Sequence, residues 1–184
     1  MFPGLSAGHH SRRKVTDALG HRKSLVDAFT EEDRLLRHRL AECPREFREC
    51  RGPDGTLSFK ETLAHIAFWE DFTVNFFFRK LDQGSCTPDP PVEFEELSRR
   101  AMKEFSLLPF GEVLGRYLEA SGAMRDFIKM HWDKLTEKER HDFWIPLKHR
   151  REHRLVLFQN LDKMMADMDT FAPNPDQASL ASEA

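Results

Sequence analysis

Leu57-Ser-Phe-Lys-Glu-Thr-Leu-Ala-His65-Ile-Ala-Phe-Trp69-Glu-Asp-Phe-Thr-Val-Asn-Phe-Phe-Phe78 reads as a helix that is apolar around most of its circumference. At about 100° per residue, Lys60, Glu61, Asp71, Asn75 and Arg79 collect on one narrow polar arc. Phe59, Leu63, Ile66, Trp69, Phe72, Phe76 and Phe77 cover most of the remainder. A helix of that kind has to be covered by neighbours on several sides. His65 falls at the edge of the apolar arc, one turn before Trp69, so its imidazole is expected to point inward, where a polar group needs a partner.

Working outward, Ser58 and Glu61 have the spacing of a capping box at the start of this helix, with Thr56 as a competing cap. Gly52-Pro-Asp-Gly55 just before it is a turn, set by proline's fixed φ and glycine's freedom. Upstream, Leu19, Leu25, Val26, Phe29, Leu35, Leu36 and Leu40 recur at helical spacing among charges and predict an amphipathic helix over 15–41. It should end near Cys43-Pro44, because the residue before a proline is pushed out of the α region. Downstream, the central helix runs to about Asp82 and gives way to a Pro-rich loop ending at Pro91. Helical spacing returns from Phe94 to Leu108, breaks at Pro109-Phe-Gly111, and resumes from Val113 to Trp132 as a second half of the same arm. Thr136 and Glu139 repeat the capping-box spacing. The last helix is expected from near Pro146 to about Met168.

Four principal helices without an alternating strand predict an all-α four-helix bundle. Its expected bounds are 14–170, between a flexible lead-in over 1–13, which holds His9 and His10, and a polar tail over 171–184.

Charge and composition narrow the function. With 28 basic and 31 acidic residues in 184, the formal net charge of −3 offers no global attraction for nucleic acid or anionic lipid. No apolar run marks a signal peptide or membrane span, so a soluble cytoplasmic protein is expected. Cys43, Cys50 and Cys86 are an odd set without CxxC spacing, which favours reduced thiols over a disulfide framework. Cys86 in the Pro-rich loop has no activating base near it in sequence.

The last helix carries Lys148-His149-Arg-Arg-Glu-His153-Arg154, whose histidines at i and i+4 lie one above the other on a single face. Ile145, Val156, Leu157 and Met164 share that face, which turns both imidazoles toward the core. With His65 they offer three neutral nitrogens to a divalent ion, leaving positions for water or substrate. The competing reading leaves the pair among solvated arginines.

Thr-Leu-Ala-His65-Ile-Ala-Phe-Trp69-Glu, a long gap, then His149-x-x-x-His153-Arg154 resembles the DinB/YfiT-like superfamily of four-helix bundles. The likeness runs from the first helix to about Met168. It implies a divalent ion such as zinc or nickel on His65, His149 and His153, frequent homodimerisation, and a small-molecule substrate. Members include metal-dependent hydrolases and enzymes that use low-molecular-weight thiols in transferase or isomerase reactions. The ClbS/DfsB branch, linked to self-protection against a genotoxin, shares the fold, and a non-catalytic bundle binding a small molecule or a partner protein is the alternative.

If the ion is there, Trp69, Phe72 and Phe76 are candidate pocket walls, or simply core. Glu61, one turn before His65, and Glu152, beside His153, are candidate acceptors for the imidazoles' other N–H groups, or solvated surface residues. Lys148, Arg150, Arg151 and Arg154 form a basic cluster that either attracts the carboxylates of a peptide thiol or acidic substrate or is a charged outer face.

Overall fold

The structure, a computed structural model, describes residues 8–52, 54–83 and 94–171, with side chains from 21 to 167. Its helices are α1 (Gly8–Glu42), α2 (Phe59–Gln83), α3 (Phe94–Ser106), α4 (Phe110–His131), α5 (Glu137–Asp142) and α6 (Trp144–Phe171), with short 3-10 turns at Arg45–Arg48 and Trp132–Lys134. No strand occurs among the described residues, and none of their helices is long and apolar enough to cross a membrane. The Cys86 loop and the tail from Ala172 onward lie outside the described residues.

The expected punctuation marks fall where the chain turns. Glu61 N–H donates to Ser58 Oγ (3.1 Å) and Ser58 N–H to Glu61 Oε2 (2.9 Å), closing the capping box that starts α2. Thr56, the competing cap, accepts instead from Asn160 Nδ2 of α6. Gly52 lies between them, and a Cβ there would sit 2.2 Å from Thr56 Oγ1, so only glycine lets this turn dock on α6. Gly55 closes the turn at φ 70°, the left-handed region that glycine enters at no steric cost. The second box, Thr136 with Glu139, starts α5. Pro109 separates α3 from α4 and occupies the position just before the first residue of α4, so the expected broken arm is two helices.

Two boundaries differ from expectation. α1 begins at Gly8 rather than near Val15, so 8–13 continue the helix instead of forming a lead-in. Helical hydrogen bonds extend a nucleated helix without needing an apolar period. α6 begins at Trp144, two residues before Pro146, which places that proline in the first turn, where its missing N–H has no partner to lose.

The four long helices contact one another in the ring α1–α4–α2–α6, and α3 lies on the outside of α2. Two apolar clusters fill the centre. One joins Leu36, Phe59, Leu63, Ile66, Val113, Tyr117, Leu157 and Leu161; the other joins Leu25, Phe29, Val74, Phe77, Met124, Phe127, Trp132, Phe143 and Leu147.

Between those clusters lies a charged layer. Arg150 of α6 is 0% exposed. Its Nε donates to Glu70 Oε1 of α2 at 2.7 Å, its second terminal nitrogen reaches the other Glu70 oxygen, and Nη1 donates to Asp33 of α1. Asp33 also accepts from Tyr117 Oη (2.6 Å), Ser121 Oγ (2.8 Å) and Arg125, all on α4. The guanidinium lies 5.3 Å from the ring centroids of both Phe29 and Tyr117. Burial disfavours the charge on Arg150, but Glu70 and its neighbours hold it firmly protonated. One side chain thus ties all four long helices together.

The expected basic surface cluster is therefore corrected. Arg150 is internal, Arg151 and Arg154 both donate to the buried carboxylate of Glu32, and Lys148 pairs with Glu152 at 3.7 Å. The face assigned to α6 shifts accordingly. Its buried stripe is Leu147, Arg150, Leu157, Asn160 and Leu161, while Ile145 and Val156 are exposed. An arginine counted as outward-facing rotates the inferred apolar face; an arginine with two buried carboxylates can be its centre.

Candidate metal centre

The rotation leaves His149 and His153 on the flank of α6 that faces α2, rather than in the core. They are half-buried, as is His65 opposite. His149 Nε2 lies 3.1 Å from His65 Nε2 and 3.0 Å from His153 Nε2, and the three ligand nitrogens fall within 4.8 Å of one another. Sequence spacing paired His149 with His153 through one helical turn. The α2–α6 contact, anchored by Arg150 and Glu70, brings His65 to them across 84 residues.

The donor set fits a divalent ion. A metal–nitrogen bond of about 2.0–2.1 Å puts ligand nitrogens about 3.3 Å apart in a tetrahedral shell and about 2.9 Å apart at right angles. The separations of 3.0 and 3.1 Å fall between these. Hydrogen bonds alone satisfy the cluster less well, because both neighbours approach the same nitrogen of His149, and one lone pair cannot accept two well-aligned N–H groups. On the far side of His65, Ser98 Oγ of α3 is 3.5 Å from Nδ1, placed to accept the N–H that fixes the Nε2 lone pair inward.

Burial, then the neighbouring imidazoles His153 and His149, pushes His65 down to about 4. Burial and then His153 do the same to His149, also to about 4, and burial lowers His153. All three are neutral at pH 7, the state in which imidazole ligates. The same shifts dictate an acid weakness. In the unfolded chain these rings take up protons near 6.5, while in the fold His65 and His149 resist until about pH 4, so protons bind the unfolded state preferentially and stability falls as pH drops from about 6.5 to 4. Chelator-treated protein should therefore melt at progressively lower temperature across that window, and a His65→Gln/His149→Gln variant should lose less. Equal losses in the two proteins would place the acid sensitivity elsewhere.

The other expected site residues divide. Trp69 stands beside the cluster, its ring centroid 6.3 Å from that of His65 and 6.5 Å from that of His149. It lines a cavity of about 650 Å³ together with His65 and His149. Phe72 stands behind this wall, against Trp69 (5.6 Å) and Phe94 (6.1 Å). Phe76 is not part of it; its ring packs against Phe77 and the apolar cluster at the other end of the molecule, because two further turns along α2 carry it away from the histidines.

Neither expected carboxylate accepts from an imidazole among the described hydrogen bonds. Glu61 is held by Arg51 Nε (3.0 Å) and the Ser58 N–H, which lower its pKa against the opposing effect of burial. Glu152 lies on the surface with Lys148. Ser98, the hydroxyl nearest the outer nitrogen of His65, gave no sequence signal, since a serine in a helix of alternating charge is unremarked by any motif.

Comparison with protein-family models, with curated proteins and with solved structures gives no match to this chain.

Proposed function

We propose that the chain is a divalent-metal-dependent enzyme of DinB/YfiT-like type, acting on a small molecule as a hydrolase or a low-molecular-weight-thiol-dependent transferase. The observation that carries this reading is the meeting of three neutral imidazole nitrogens from α2 and α6, two of whose rings, His65 and His149, line a cavity. The ring of four long helices supports this reading. His65, His149 and His153 would hold the ion, with zinc or nickel the expected metals. When bound, it would supply Lewis acidity toward a water or thiol and toward a substrate oxygen. Ser98 would keep the His65 tautomer fixed, and Trp69 would exclude bulk water from one side of the cluster and orient a substrate against its ring.

Elemental analysis of protein purified without an affinity tag should find about one divalent ion per chain. An ion that binds only the folded state contributes about 2.7 kcal/mol at a hundredfold excess over its dissociation constant, which for a chain of this size raises Tm by about 5–10 °C. Chelator should remove that gain. Absence of metal, together with a Tm indifferent to chelator between pH 6 and 8, would make the histidines a structural cluster in a non-catalytic binding protein.

A further inference from the structure

The cavity's walls carry more information than its metal end. Trp69 of α2, Phe94 of α3, and Ile145 and Pro146 of α6 line this open hollow. Phe94 is 55% exposed and Ile145 63% exposed. Single exposed apolar residues are ordinary, but these two come from different helices and face the same space, beside a half-buried indole. The aromatic side is already assembled, with Phe94 5.9 Å from Trp69 and both rings braced by Phe72. Rings already braced in this way need little rearrangement when an apolar group covers them.

Charge excludes the other obvious occupants. The cavity is lined by one cation, Arg99, and one anion, Glu95, among the described residues. Arg99 is already paired with Glu96. The arginines of α6 that could have met a carboxylate-rich ligand are spent on Glu70, Asp33 and Glu32 inside the fold. A polyanionic peptide would find one compromised partner, whereas a hydrocarbon body finds four apolar surfaces.

Resting on the metal reading for its histidine lining, we infer that the cavity takes a small molecule with a flat apolar, aromatic-sized body and a single metal-binding head group. The head lies at His65 and His149, and the body lies between Trp69 and Phe94 on one side and Ile145 and Pro146 on the other.

Calorimetric titration of the zinc-loaded full chain with 2-naphthohydroxamate and acetohydroxamate tests this, because the two share a head and differ in body. The naphthyl compound should bind at least about thirtyfold tighter, a ratio within what burial of two fused rings supplies. In a Phe94→Ser/Ile145→Ser variant, whose exposed positions leave the core untouched, the ratio should fall below about threefold while zinc content and acetohydroxamate affinity stay unchanged. Equal affinities in the wild type, or an unchanged ratio in the variant, would overturn the inference. Titration of chelator-treated chain with 2-naphthamide separates this from the metal reading. If the chain holds no zinc, or surrenders it to the hydroxamates, the amide decides alone. Binding lost in the Phe94→Ser/Ile145→Ser variant but kept in His149→Ala upholds the apolar cavity, and no binding, or binding unaffected by Phe94 and Ile145, refutes it.

Discussion

An Arg150→Met chain is expected to unfold at much lower urea concentration than the wild type, by the equivalent of about 3–5 kcal/mol. Methionine fills much of the same space, so the loss does not come from a cavity. It comes from Glu70 and Asp33, which are buried and lose the guanidinium that both accept from. Burial already pushes Glu70 toward its neutral form, with Arg150 as the opposing influence. Without it, Glu70 takes up a proton at higher pH, and the destabilisation should shrink as the solution is acidified. Asp33 keeps Tyr117, Ser121 and Arg125, so more of the effect falls on Glu70. Adding Glu70→Leu to Arg150→Met should recover a substantial part of the loss, since removing both members of a buried pair is milder than orphaning one. A single variant within about 1 kcal/mol of wild type in equilibrium urea unfolding would show that this layer does not hold the helices together.

The second large effect belongs to the site. His149 is the middle member of the cluster, 3.1 Å from one partner and 3.0 Å from the other, so His149→Ala removes the nitrogen that both other rings approach. Metal affinity, measured by competition with a chromophoric chelator, should fall by more than about a hundredfold, beyond what loss of an outer hydrogen-bond partner costs. In the presence of chelator the variant should melt close to the wild type at pH 7.5, since His149 is half-buried and lies on the flank rather than in either apolar cluster. Full occupancy in His149→Ala would mean the ion sits elsewhere.

Much of the helical frame was legible because its signals are local. Both capping boxes, the Gly52–Gly55 turn, the break at Pro109 and the end of α1 before Pro44 depend on a few adjacent residues and on backbone sterics. The i,i+4 pairing of His149 and His153 is local in the same way. Their approach to His65 is not: the inward positions of the three rings on their helices suggested the set, and the resemblance to a family strengthened it. The charged layer was invisible for a different reason. Asp33, Glu70 and Arg150 each look like surface residues in their own helices, and nothing in one helix announces that its charge is answered by two others. The same blindness turned Arg151 and Arg154 into a basic patch when Glu32 had already claimed them. The expected roles of Glu61 and Phe76 failed on a finer point, since sharing α2 with His65 does not fix where a side chain finds its partner.

Along α6, consecutive residues divide the labour. Leu147, Arg150, Leu157 and Leu161 secure the helix to its neighbours, and His149 and His153, set to one side of that stripe, belong to neither apolar cluster. Substitutions at the two histidines can therefore be sampled by mutation without first crossing the threshold of unfolding. A lineage built on this frame is free to trade an imidazole for a carboxylate, or to abandon the ion altogether, and still present the same aromatic-walled hollow. The frame is evolvable at its chemistry because its cohesion is written in other letters of the same helix.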